Sequence, residues 1–500
     1  MTIASRLGRA SLCAIAAVGV IVAGWSTASA TALPAQRGQL PHAGSVDPKF
    51  GHRGKAIVPA PRKAAVFHSL VLGRMYGSGR QITIATDGSI ATLSDRVLLG
   101  FEANGRRDLS FGHKGRVQLR NPSGLEFQPT AIAFDSQGRL LVAGTTAQTF
   151  SQGTAGPDTS SGPPAAWATL QRYLPSGRLD TEFGNGGVVN TSFALPAPTT
   201  RPLVQSPTGV TYSPQAVSYQ AASVVVTGLA VDSADRPVVT GAFANQVAPC
   251  YAGTMPLSEG YVARLTASGD PDPSFGSGGT HRDPRSIQAE EPTIDRFERI
   301  VYLDRVSTLC GHGESDDTAL ASLDANGQPD RTFGADGYVA LPFYEPPIFA
   351  VDRSGRIVLL ERPYYGEDDS KQRQVLRLLA SGARDASFSR DGTATVRLSK
   401  HAELSAIGTD RAGRVLLAGF WTSKPADPSR FLVKRMSPGG RLDLSWGRRG
   451  TAITGFGRKA RSEAEQVLVD AQGRVIVGGT VVRPDFPTSG VGLARYLTNR

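Results

Sequence analysis

After residue 45 the chain is built from short apolar or alternating runs, each cut off by Gly, Asp or Pro. One stretch shows the pattern in full. Glu403 to Thr409 alternates apolar and polar positions, as a strand with one buried face does. The chain turns at Asp410–Gly413, and Val415 to Trp421 follows as a nearly continuous apolar run. Phe431 to Met436 is a third run, Gly439-Gly440 and a second Asp-containing turn come next, and Thr451 to Phe456 is the fourth. β-Branched and aromatic residues fill these runs, a composition that suits a pleated, half-buried surface. The spacing therefore predicts four short antiparallel strands in one unit. No stretch sustains a helical period, which argues against a helical solenoid.

That unit recurs. The motif D-x-x-[FW]-G-x-x-G begins at Asp47, Asp108, Asp180, Asp272, Asp330, Asp385 and Asp443, with Ser389 replacing the first Gly in the sixth copy. Successive copies lie 61, 72, 92, 58, 55 and 58 residues apart, so the base period is 55 to 61. A second motif, D-x-x-G-R before an apolar run, appears at Asp135, Asp352, Asp410 and Asp470. Degenerate copies start at Thr86, Asp232 and Asp295, which again makes seven. Upstream of the first motif an alternating strand ends in a Gly turn, as in TLQRYLPSG, VARLTASG, VLRLLASG and VKRMSPGG. Asp and Gly at a tight reversal supply an acceptor for backbone N–H groups and access to positive φ. The one large apolar residue of the first motif (Phe50, Phe111, Phe183, Phe275, Phe333, Phe388 or Trp446) is expected to wedge between neighbouring units.

Four strands per repeat of roughly 40–60 residues mark a propeller blade, whereas a β-helix uses a shorter period. The expected fold is all-β: a seven-bladed β-propeller of four-stranded antiparallel blades over residues 46–500. The repeats resemble the delta-60 repeat family of bacterial β-propellers, in which G-x-L-D-x-x-F-G-x-x-G alternates with D-x-x-G-[KR]-[IL]. The resemblance covers most of residues 46–497 and fades around 190–225 and 295–300. It implies the fold and no particular activity.

The ends are complementary halves of a repeat. The chain opens on VDPKFGHRGKAIV and closes on Val467 to Tyr496, so Lys55–Val58 is expected to pair with Gly492–Leu497 and lock the ring. Alternating strand direction puts both Asp-Gly motifs at one end of every blade. The second-to-third loops and the blade linkers fall at the other end, with insertions at 146–164 and 190–222. Long loops on one side of a rigid scaffold are where binding usually lives.

Composition adds an address. Arg6 and Arg9, an apolar run from Ala10 to Trp25 and a final Ala28-Ser29-Ala30 read as a signal peptide over residues 1–30, followed by a short linker, 31–45. The run is short for a membrane span, and no second one follows, so no transmembrane segment is expected after cleavage. Without the two leader arginines, 52 of the 54 Lys and Arg remain against 43 Asp and Glu. That excess favours association with anionic envelope polymers or lipid head groups. With scattered arginines and an exported chain, nucleic acid is not an expected partner. A monomer is expected, secreted or associated with the cell envelope.

Candidate chemistry is sparse. No H-E-x-x-H, G-x-S-x-G, C-x-x-C or Walker pattern occurs, and His52 and His113 hold one repeated turn position. Cys250 and Cys310 fall in second-to-third loops of consecutive blades, where a disulfide is expected in an oxidising compartment. Glu314, Asp316 and Asp317, with Glu367, Asp368 and Asp369, form two acidic loops that could offer oxygen ligands to Ca²⁺, the one cofactor considered. Tyr364 and Tyr365 beside them could stack on a sugar. No catalytic residue stands out. Two classes remain: a binding module for an envelope polymer, glycan or protein, and a secreted propeller enzyme acting on carbohydrate or lactone substrates. The innermost strands are expected to carry mainly apolar or small residues, which favours binding.

Overall fold

The computed structural model describes residues 42–498 apart from 60–80, 122–123, 148–165, 194–217, 251–252, 284, 307–316, 344, 364–370 and 487–488. The leader therefore lies outside the described residues. Strand β1 (Lys55–Pro59) comes first and waits for its blade. The first complete blade is β2 (Ile82–Ile84), β3 (Ile90–Ser94), β4 (Val97–Phe101) and β5 (Arg116–Gln118). Blade 2 is β6 (Glu126–Phe134), β7 (Leu140–Ala147), β8 (Ala166–Tyr173) and β9 (Val188–Thr191). Blade 3 is β10 (Ser218–Val231), β11 (Pro237–Cys250), β12 (Gly253–Arg264) and β13 (Thr280–Arg282). Blade 4 comprises β14 (Ser286–Ile294), β15 (Ile300–Val306), β16 (Asp317–Leu323) and β17 (Tyr338–Ala340). Blade 5 comprises β18 (Ile348–Val351), β19 (Ile357–Leu360), β20 (Gln372–Leu378) and β21 (Thr393–Arg397). Blade 6 is β22 (Ala402–Thr409), β23 (Val415–Trp421), β24 (Arg430–Met436) and β25 (Thr451–Thr454). β26 (Arg461–Val469), β27 (Val475–Val482) and β28 (Ser489–Tyr496) complete blade 7 with β1 as its fourth strand.

This is a seven-bladed β-propeller of four-stranded antiparallel blades. At six of the seven junctions the first strands of successive blades touch one another. Second and third strands are almost wholly buried, and their β-branched side chains fill the cores between blades. Among the described residues no helix is long and apolar enough to cross a membrane. The insertion edges are tighter than the sequence implied. Thr146 and Ala147 end β7, Asn190 and Thr191 end β9, and Ser218–Ala222 already belong to β10.

Turn chemistry explains the punctuation. In D-x-x-G-R, Asp135 Oδ1 accepts from the backbone N–H groups of Gln137 and Arg139, while Oδ2 accepts from Arg139 Nε at 2.5 Å. Gly138 takes φ +74°, a region that costs an L side chain strain. Asp232, Asp295, Asp352, Asp410 and Asp470 repeat this arrangement with their own arginines.

Six of the seven motif aromatics wedge against the next blade, as expected. Phe50, Phe183, Phe275, Phe333, Phe388 and Trp446 are fully buried, and each packs on a positive-φ glycine of the following blade: Gly105, Gly269, Gly327, Gly382, Gly440 and Gly44 respectively. A Cβ on Gly105 would lie 2.6 Å from the Phe50 ring, so only Gly lets the ring seat. Phe111 instead packs against Gly100 of its own blade.

Closure follows the expected pairing. Ala56 faces Leu493, and Val58 faces Val491 in an antiparallel ladder. Upstream, Val46 bridges Tyr496, and Leu497 N–H donates to the Ser45 carbonyl at 3.0 Å. Neither terminal half can saturate its strand edge alone, and joining them removes both edges.

Candidate functional site: the two faces of the ring

Antiparallel order places the first-to-second and third-to-fourth turns at one end of each blade. This motif face is held by a cyclic set of hydrogen bonds. The backbone N–H after each motif aromatic donates to a carbonyl in the next blade's turn: Gly51 to Asn104, Gly112 to Ser176, Gly184 to Ser268, Gly276 to Asn326, Gly334 to Ser381, Ser389 to Gly439 and Gly447 to Ala43. Ser389 serves because only a backbone N–H is needed. The last of the seven reaches the N-terminal segment, so the ring of bonds closes.

A second set uses arginines that the sequence reading passed over. Third strands carry Arg172, Arg264, Arg377, Arg435 and Arg495, all nearly inaccessible to solvent. Each guanidinium pairs with its blade's motif aspartate: Asp180, Asp272, Asp385, Asp443 or Asp47. Each also donates through Nη1 to a carbonyl of the next blade, at Ala267, Ala325, Pro438, Thr498 and Ala103. The same guanidiniums lie 4.5 to 5.4 Å over Phe183, Phe275, Phe388, Trp446 and Phe50. Burial works to raise the Asp272, Asp385 and Asp443 carboxyls. Hydrogen bonds from Ser274, Ser387 and Ser445 and the paired arginines outweigh it and hold all three below the ordinary value. Blade 4 has Ser322 at the arginine position. There Arg299 of the D-x-x-G-R turn reaches Asp330 at 3.1 Å and the Ala380 carbonyl at 2.7 Å. The signal in the sequence is an Arg eight residues before the motif Asp, at Arg172, Arg264, Arg377 and Arg435. Each of these acids anchors the arginine that ties its blade to the next.

Other acids are less committed. Inner strands carry Glu290, Glu403, Glu463 and Glu465, so they are more polar than the apolar or small lining expected. Glu290 and Glu465 occupy the same repeat position, five residues before Asp295 and Asp470. Burial pushes both up to about 7, opposed by Arg305 near Glu290 and by the Thr480 hydroxyl on Glu465. Between blades 3 and 4, the Tyr338 hydroxyl lies 2.6 Å from Asp283 and 2.7 Å from Asp304. A hydroxyl has one proton, so it can donate to one carboxylate and must accept from the other. Burial tends to raise Asp283, but hydrogen bonds and charge from Arg285 hold it anionic. Burial, then the Asp283 charge, pushes Asp304 up to about 7. Ser286 donates to the other Asp304 oxygen.

The opposite face carries the second-to-third loops. In blade 3 these become a ribbon: β11 has 14 residues and β12 has 12, against 4 to 8 for the second strands of the other six blades. Pairing continues to Cys250 opposite Gly253, and Ser218 and Tyr219 of β10 join the same extension. Cys250 therefore ends a strand on the expected face, while Cys310 lies outside the described residues. So do Glu314, Asp316, Glu367, Asp368, Asp369, Tyr364 and Tyr365. Asp317 begins β16, opposite Val306, and so is a strand residue instead of part of a loop.

No family model and no curated protein matches the chain. Solved structures similar to it include a gluconolactonase from Xanthomonas campestris, at 11% identity and TM-score 0.32 over 88% of this chain and 97% of that one. The polysaccharide lyase Uly1 is 10% identical with TM-score 0.45, covering 90% and 100%. A chain of the mitotic checkpoint complex is 10% identical with TM-score 0.43, covering 94% and 100%. At these identities the likenesses assign no activity.

Proposed function

We propose that this chain is an exported binding module of the cell envelope, built on a delta-60-like propeller, that engages a polymer, glycan or protein through its loop face. The ribbon of blade 3 carries the reading. From Gln246 opposite Leu257 to Cys250 opposite Gly253 it continues the ladder beyond the blade body, roughly 15 Å at the rise of a strand. A two-stranded ribbon of this length offers backbone edges to which an extended partner can add a strand. The repeat acids, in contrast, are tied into ion pairs that hold blades together. The test replaces Gln246–Leu257 with a two-residue Asn-Gly turn and probes both forms on envelope glycans and purified cell-wall polymer, with and without chelator. Loss of capture at an unchanged melting temperature supports the reading, and capture by the shortened form overturns it.

Glu290 and Glu465 favour a second reading, an enzyme acting on carbohydrate or lactone substrates. Carboxyls that titrate near pH 7 are suited to proton transfer. Hydrolysis of a sugar lactone or glycan that disappears in both Glu290→Gln and Glu465→Gln would establish it, and no turnover across the panel would dismiss it.

A further inference from the structure

The two residues at the tip of each first-motif turn are equivalent around the ring, so they can be compared blade by blade. Blades 2 and 3 have Asn185-Gly186 and Ser277-Gly278, while blades 4 and 5 have Ala335-Asp336 and Arg390-Asp391. Blades 6, 7 and 1 have Arg448-Arg449, His52-Arg53 and His113-Lys114. These three are contiguous, because blade 7 joins blade 6 through Gly447 and Ala43 and joins blade 1 through Gly51 and Asn104. The cations thus fill one sector of the motif face.

Two further observations point outward. Arg53, Lys114 and Arg449 sit at φ +52° to +53°, where Gly186 and Gly278 stand in the neutral blades and Asp336, at +50°, stands in blade 4. An Arg or Lys in that region carries backbone strain that glycine would avoid, and such strain collects at functional sites. Among the described residues, no side-chain hydrogen bond or ion pair engages Arg53, Lys114, Arg448 or Arg449, and all four are exposed. In the same turns, Leu109 of blade 1 and Leu444 of blade 6 are each 67% exposed, flanking the sector on both sides. The equivalent residues elsewhere are Pro48, Thr181, Pro273, Arg331 and Ala386.

We propose that the blade 6–7–1 sector of the motif face docks on an anionic lipid bilayer, its cations against head-group phosphates and Leu109 and Leu444 inserted at the interface. The paired leucines select a bilayer over a soluble polyanion, because only a bilayer offers an apolar layer beneath its charges. Docked this way, the ribbon of blade 3 lies on the face turned away from the lipid and stays open to a partner.

The test measures partition of the full chain onto vesicles of phosphatidylglycerol with phosphatidylcholine, against phosphatidylcholine alone. One variant gives the sector the Ser-Gly tip of blade 3: Arg448→Ser with Arg449→Gly, Arg53→Gly and Lys114→Gly, changes that relieve strain and leave the fold intact. Each cation lost near the surface weakens binding about fivefold, so the variant is expected to bind more than about a hundredfold more weakly. Leu109→Ser with Leu444→Ser should bind about tenfold more weakly with its salt dependence unchanged. Equal binding to neutral vesicles, or charge-variant binding at the wild-type level, overturns the proposal. Capture by a soluble polyanion, as tight as by vesicles and indifferent to the leucines, overturns it in favour of an acidic polymer. The ribbon-shortened form should bind vesicles like wild type, which separates this result from the test of the loop face.

Discussion

Replacing Asp47 by Ala attacks the ring where the two ends of the chain meet. Asp47 Oδ2 takes both Nε and Nη2 of Arg495 at 2.9 Å, across 448 residues of sequence. The Arg495 side chain is only 3% exposed. Its Nη1 goes on to the Ala103 carbonyl of blade 1 at 2.6 Å, and its plane covers Phe50 at 4.7 Å. Without the carboxylate, a buried guanidinium keeps its packing and loses its counter-charge. Breaking one partner of a buried pair costs about 3–5 kcal/mol, far more than an exposed pair contributes. Asp180→Ala removes the same acceptor from Arg172, eight residues away, and serves as the comparator. If the ring is closed, the two losses agree within about 1 kcal/mol, because the geometry is the same and only the sequence separation differs. Asp485→Ala, whose exposed pair with Arg483 belongs to no repeat motif, should leave the unfolding midpoint where wild type has it. Urea unfolding followed by tryptophan fluorescence is the assay, since buried Trp446 donates from Nε1 to the Leu497 carbonyl at the seam. An Asp47→Ala curve that superimposes on wild type while Asp180→Ala shifts would refute closure.

Gly105→Ala and Gly186→Ala should separate steric from conformational cost. Both glycines have positive φ, worth about 1–2 kcal/mol of strain in an L residue. Only Gly105 faces a ring at 2.6 Å, which adds about 1–3 kcal/mol of overpacking, so equal melting temperatures for the two variants would contradict the wedge. Asp304→Asn tests the shared proton. A carboxyl raised in the fold stabilises it fully below the unfolded value, near 4, and loses that contribution as pH rises towards about 7. Asn cannot ionise, so the variant should gain on wild type between pH 4 and 8, with a ceiling of about 4 kcal/mol. A stability difference that stays flat over that range would show that Asp304 is already ionised.

Turns and repeats were legible in the sequence because their causes are local. Asp135 bonds to the N–H groups two and four residues on, and Gly138 supplies the φ that this requires, so four letters specify the turn wherever they recur. The complementary half-repeats at the two ends likewise predicted which strands would meet, and the ladder from Lys55 opposite Ala494 to Pro59 opposite Gly490 follows. The edges of insertions were less legible. The ladder of β10 against β11 runs on to Ser218 through residues whose pairing comes from the neighbouring strand and not from their own pattern.

The tertiary structure alone decided what joins one blade to the next. Arg172 reaches a carbonyl 95 residues on, and Arg495 reaches one 392 residues back; no local pattern encodes either distance. Blade 4 shows why. Its third-strand arginine is missing, and Arg299 from a different turn fills both roles because the ring brings Asp330 and Ala380 within its reach. The clustering of cations on blades 6, 7 and 1 is of the same kind. Arg449 and Arg53 stand far apart along the chain and become neighbours only when β1 pairs with β28. Backbone turns answer to residues a few positions away, whereas charge and burial answer to whatever the closed ring places alongside.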